Sequence, residues 1–88
     1  MLSKNKLKYI RSLALKKFRD QEKAFVAEGP KLVEELFKYY ECILLVGVPE
    51  YLQKVSAPLN AEVIEVNQEE LARASNLKTP QSVLAVFK

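Results

Sequence analysis

The chain has 88 residues, 49% of them hydrophobic, with 14 lysines and arginines against 11 acids and no histidine. That length suits one small domain, residues 1–88, built on a single core. A single cysteine excludes an internal disulfide, and without histidine the usual zinc-ligand sets and Ser/His or Cys/His catalytic pairs are unavailable.

Ser3 is placed to cap a helix whose apolar positions Leu7, Ile10, Leu13 and Ala14 follow the 3.6-residue period. Lys4, Lys8 and Arg11 then share a different face. The pattern predicts an end near Lys17, where Lys16, Lys17 and Arg19 suit the negative end of the helix dipole. Residues 24–27 read as a short buried strand closed by Glu28 and Gly29. Pro30 suits the first turn of the next helix, because its missing N–H has no partner to lose there. Residues 31–40 continue it, with Leu32, Val33, Leu36, Phe37 and Tyr40 on one face and Glu34 and Lys38 paired four apart.

Residues 42–48 form a continuous apolar, β-branched run, expected as a strand covered on both sides. Cys42 opens that run and reads as a small buried hydrophobe rather than a reactive thiol. Pro49 starts another short helix, reaching Val55. Residues 62–66 are a third strand. Asn67 caps a further helix, with Glu70 placed for a return contact and Leu71 facing inward. A polar loop over 75–81 contains Pro80, and residues 82–87 are a fourth strand. Strands alternating with helices predict an α/β layered domain around a mainly parallel or mixed sheet, whose strand order the pattern leaves open.

The charge is unevenly spread. Residues 1–19 hold seven basic residues and no acid, a net +7, whereas residues 20–88 hold seven basic residues and eleven acids, a net −4. A clustered basic segment attracts a polyanion by neutralising phosphates and releasing counterions. A solvated lysine face is the bland alternative. A membrane surface is weaker, since the segment lacks a broad Trp/Phe/Leu face. No apolar run approaches the ~18 residues of a membrane span. The N-terminus is basic and periodic rather than signal-like, so a cytoplasmic protein is expected.

Several stretches together resemble a known family. They are Ser3-Lys-Asn-Lys-Leu-Lys-Tyr-Ile-Arg-Ser-Leu13, Lys16-Lys-Phe-Arg19, Phe25-Val-Ala-Glu-Gly29 and Lys31-Leu-Val-Glu-Glu35, with Thr79-Pro80-x-x-Val-Leu-Ala-Val86 closing the chain. Their order is similar to the N-terminal domain of SpoU/TrmH-type RNA 2′-O-ribose methyltransferases. One departure is Gln81-Ser82, where the family usually carries a glycine before the last strand.

The resemblance implies a single small α/β/α domain around a mixed four-stranded sheet, of the type seen in kink-turn-binding ribosomal proteins. It implies a domain that grips rRNA or tRNA and presents a ribose to a downstream knotted domain. That missing domain would bind S-adenosylmethionine, perform the methyl transfer and form most of a homodimer. No cofactor loop is expected here, since Gly29 and Gly47 are isolated.

The candidate RNA contacts are Lys16, Lys17 and Arg19, with Lys4, Lys8 and Arg11 as the approach surface. An arginine fork binds a phosphate bidentately or stacks on a base. Lys31 lies one residue past Pro30, where helix N–H groups also favour anions. Glu28 is read as structural, complementing that helix start. Tyr9 lies nearest the cations; like Tyr39, Tyr40 and Tyr51, it would stack on a base if exposed. The alternative function is a stand-alone interaction or dimerisation module using Leu32, Leu36 and Tyr40. A small enzyme using Glu28, Glu34 or Glu35 finds no paired constellation to support it.

Overall fold

In the computed structural model, which describes every residue from Met1 to Lys88, the order is helix, helix, strand, then three helix–strand pairs. Helix α1 (Lys4–Ser12) starts at Ser3, whose Oγ accepts the Lys6 amide at 3.1 Å. It ends at Ser12 rather than near Lys17. The amides of Leu13, Ala14 and Leu15 each bond three residues back, tightening the chain into a turn, and Leu15 is extended.

Helix α2 (Lys16–Glu22) therefore begins at Lys16. Lys16 and Lys17 sit at the positive end of a helix dipole, which corrects the expectation that they complement a negative one. Only Arg19 plays that part. It reaches back from α2 so that Nη1 donates to Leu13 O at 3.0 Å and Ala14 O at 2.9 Å.

Strand β1 (Phe25–Glu28) runs into Gly29, whose φ of 98° is a conformation that side chains with a Cβ avoid. Helix α3 (Pro30–Leu36) follows. It stops short of the expected Tyr40 because the Tyr39 and Tyr40 amides both turn back onto Leu36 O. The expected Glu34–Lys38 pair is not made. Lys38 instead reaches Glu35 at 3.3 Å, and Glu34 accepts the Tyr51 hydroxyl at 3.1 Å.

Strand β2 (Cys42–Gly47) leads to a single turn, α4 (Pro49–Leu52), which ends before Val55. Strand β3 (Glu62–Glu65) precedes α5 (Gln68–Ala74). The capping box is present: Asn67 Oδ1 accepts the Glu70 amide at 2.8 Å and Glu70 Oε1 accepts the Asn67 amide at 3.1 Å. Strand β4 (Val83–Phe87) ends the chain's regular structure.

The sheet is mixed, in the order β1-β4-β2-β3. β4 is antiparallel to both β1 and β2, while β2 and β3 are parallel. Every residue of β4 is buried, so both faces of the sheet are covered. On one face α3 lies over β1 and β4, bringing Phe37 to Phe87 at 6.1 Å between ring centroids. On the other, α1 packs beside α5 and crosses Leu44, the residue paired with Val86. Ile10, Leu13, Val33, Leu45, Leu71, Leu84 and Phe87 fill the interior. Burying each such side chain stabilises the fold by ~1.5–3 kcal/mol. Leu32, expected on the inner face of its helix, is half-exposed, while Val33 beside it is fully buried.

Candidate nucleic-acid interface

The basic segment folds as two helices joined by the elbow at residues 13–15. Lys4, Lys8 and Arg11 recur four and three residues apart on the exposed side of α1, away from buried Ile10. Lys16 and Lys17 are exposed at the start of α2. The elbow thus joins the two sets on one stretch of surface. Leu15, 58% exposed, stands between them.

The cations are not equally available. Lys6 is held by Glu62 at 2.7 Å. Arg11 donates Nη1 to Arg73 O at 2.6 Å, at the carbonyl end of α5. Arg19 is half-buried and spends one nitrogen on the elbow carbonyls. Lys16 meets Asp20 at 3.5 Å, but both are largely exposed, and such pairs contribute only ~0–1 kcal/mol. Lys4, Lys8 and Lys17 make no ion pair in the chain; Lys17 Nζ lies 5.8 Å from the Phe18 ring centroid. Lys31 is not part of this group. It sits on α3, in the other helix layer, beside Glu28, Glu35 and Gln81.

Glu28 is structural, but its partner is not the start of α3. Its carboxylate accepts the Ser75 hydroxyl at 2.5 Å and the Asn76 amide at 2.8 Å, fixing the loop after α5. Cys42 is buried, its thiol pushed up by that burial, which suits core packing and opposes thiolate chemistry. Tyr51 is buried against Glu34, with its phenol pushed well above the ordinary range by burial and then by that carboxylate. Tyr40 packs edge-on against Phe25 at 5.1 Å. Of the face proposed for dimerisation, Leu36 packs on the core while Leu32 and Tyr40 are exposed.

Tyr9 is half-buried between the helices, its phenol pushed up by burial and then by Glu22, with Lys6 acting against both. Sequence reasoning missed the cleft beside it, because the pairing of α1 with α2 depends on where the elbow falls.

Neither glycine offers a cofactor loop. A Cβ on Gly47 would meet Leu52 at 3.1 Å, and one on Gly29 would meet the Gln81 amide at 2.8 Å, so both serve packing. No cluster of potential metal ligands is present, and no helix is long and apolar enough to cross a membrane.

Residues 4–85 match the family model of the MRM3-like substrate-binding domain. Among solved structures, the chain is 46% identical, with a TM-score of 0.94, to a Porphyromonas gingivalis protein described as an RNA methyltransferase of the TrmH family. It is 31% identical, with a TM-score of 0.82, to an rRNA methyltransferase from Sinorhizobium meliloti, and 30% identical, at 0.81, to the AdoMet-bound form of an rRNA methyltransferase from that organism. Each alignment covers 100% of this chain but 36%, 35% and 35% of the respective matched chains, so the sequence spans about a third of their length. No curated protein is matched.

Proposed function

The chain belongs to the MRM3-like substrate-binding domains of SpoU/TrmH-type RNA methyltransferases, and we propose that it holds structured rRNA or tRNA for 2′-O-ribose methylation by a downstream domain. In this reading residues 1–88 are one RNA-binding domain acting in the cytoplasm. The cofactor S-adenosylmethionine and most of a homodimer interface belong to the part of the protein beyond it. The domain contributes no bond chemistry. Its role is to lower the entropic cost of bringing one ribose to the methyl donor.

The observation that carries this reading is the fate of the +7 segment: it folds into two adjoining helices on which Lys4, Lys8, Lys16 and Lys17 remain exposed. Lys16, Lys17 and Arg19 are assigned to phosphates, with Lys4, Lys8 and Arg11 around them. Lys31 contacts RNA from the other layer if the RNA wraps the sheet's edge.

RNA affinity measured against salt tests the assignment. Each phosphate neutralised adds ~0.7–0.9 to the slope of log affinity on log salt. Lys16→Glu combined with Lys17→Glu is expected to weaken binding and lower that slope by ~1.4–1.8. A slope unchanged in the double variant overturns the site.

A further inference from the structure

Within the basic surface lies a cleft between α1 and α2 whose lining is ill-suited to phosphate. It measures about 310 Å³ and is bordered by Asn5, Lys8, Tyr9, Phe18, Gln21 and Glu22. That volume sits at the low end of the ~300–1,000 Å³ typical of small-ligand sites.

Lys8 lines the cleft from α1, and Lys17, outside the lining, holds its Nζ 5.8 Å from the Phe18 ring centroid on α2. Two half-buried rings also line it, Tyr9 from α1 and Phe18 from α2. The Asn5 and Gln21 amides, the Tyr9 hydroxyl and the Glu22 carboxylate make no side-chain hydrogen bond or ion pair in the chain, although neighbours such as Ser12 and Lys6 do. A phosphate entering here would face the Glu22 carboxylate at close quarters. A nucleobase, being uncharged, is not repelled there. Its flat face suits the rings, and an exocyclic amine on its edge is the donor a carboxylate lacks.

We propose that the α1–α2 cleft receives one unpaired nucleobase bearing an exocyclic amine, cytosine, adenine or guanine rather than uracil, with Glu22 accepting from the amine while Lys8 and Lys17 hold the flanking phosphates. The proposal rests on the RNA-binding reading and adds to it a base preference. Glu22 is thereby a specificity residue in a surface otherwise blind to sequence.

Cytosine and uracil test this directly, since they differ in carrying an amine or a carbonyl at the same ring position. The chain is titrated with end-labelled oligocytidylate and oligouridylate of equal length, and with polyphosphate, at low and moderate salt. The expected result is tighter binding of oligocytidylate by about three- to tenfold, the range of one exposed charge-assisted hydrogen bond. Glu22→Ala, at an exposed position, should erase that preference while leaving oligouridylate and polyphosphate binding unchanged or tighter. Equal binding of the two oligonucleotides by the unaltered chain overturns the base pocket and leaves the RNA-binding reading intact. Loss of cytidylate and uridylate binding by the same factor in Glu22→Ala overturns it too. Salt-sensitive binding to none of the three, nor to a folded tRNA or rRNA fragment, would remove the RNA-binding reading itself.

Discussion

The Arg19 guanidinium closes a helix other than its own, with Nη1 3.0 Å from Leu13 O and 2.9 Å from Ala14 O. These are carbonyls the α1 turn leaves without backbone partners, so the contact locks the elbow that sets α2 beside α1. Lysine keeps the charge and loses the fork. Arg19→Lys is expected to lower stability by about 1–2 kcal/mol, the worth of charged hydrogen bonds to backbone. Urea denaturation reads this. Lys16→Glu with Lys17→Glu should shift unfolding by no more than ~0.5 kcal/mol, as surface changes usually do. Equal destabilisation by both would contradict the division between a structural arginine and exposed lysines.

Gly29 carries a second constraint. Its φ of 98° disfavours any side chain, and a Cβ there would lie 2.8 Å from the Gln81 amide. Gly29→Ala is expected to cost about 1–3 kcal/mol in thermal or chemical unfolding. Gln81→Ala in the same chain removes the clash but not the backbone strain, so it should restore only part of the loss. Full restoration would show that the side-chain clash was the whole effect.

Glu28 ties the end of β1 to the loop after α5 through Ser75 and Asn76. Glu28→Gln retains one acceptor oxygen and gives up the charge. A loss of about 1–2 kcal/mol is expected, with faster amide exchange at Asn76 than in the unaltered chain. Unchanged exchange there would mean that the loop is held by other contacts.

Glu70 links stability to pH. Its carboxyl is held below the usual range by accepting the Leu2 amide and then the Asn67 amide, with help from the N-terminal ammonium and Arg73. A folded-state value below the unfolded one means that the contribution is present above the unfolded carboxyl value, ~4.3, and is lost as pH falls through the lower folded one. Unfolding midpoints followed from neutral pH into that acid window should therefore fall. Glu70→Gln should flatten the fall while lowering stability at neutral pH, and an identical acid profile in the variant would sink the assignment.

Local chemistry made some of this visible in the amino acids alone. Ser3, and Asn67 with Glu70, announce helix starts because a cap depends on residues only three apart. The elbow was hidden. Residues 13–17 contain neither glycine nor proline, and the break is enforced from outside by burial of Leu13 and by Arg19 reaching back. Strand order was hidden for a related reason, since residues 42–48 and 82–87 carry the same apolar pattern and their pairing is set by contacts far apart in sequence. The basic surface was legible because charge accumulates without regard to geometry. The separation of Lys31 from it was not, because a sheet lies between them. Nor was the Glu28 partner, 47 residues away.

The place of β4 between β1 and β2 has a consequence for how the domain comes into being. A ribosome makes Val83–Phe87 after the other three strands, yet these residues supply the strand that both Phe25–Glu28 and Cys42–Gly47 need. Until they clear the exit tunnel, Phe25–Glu28 has no neighbour at all and Cys42–Gly47 has only its parallel partner. A nascent chain therefore emerges with Leu44, Leu45 and Val46 along an open apolar edge, a surface of the kind chaperones hold and aggregation exploits. Closure of the sheet comes in one step, when β4 slots between two strands made before it.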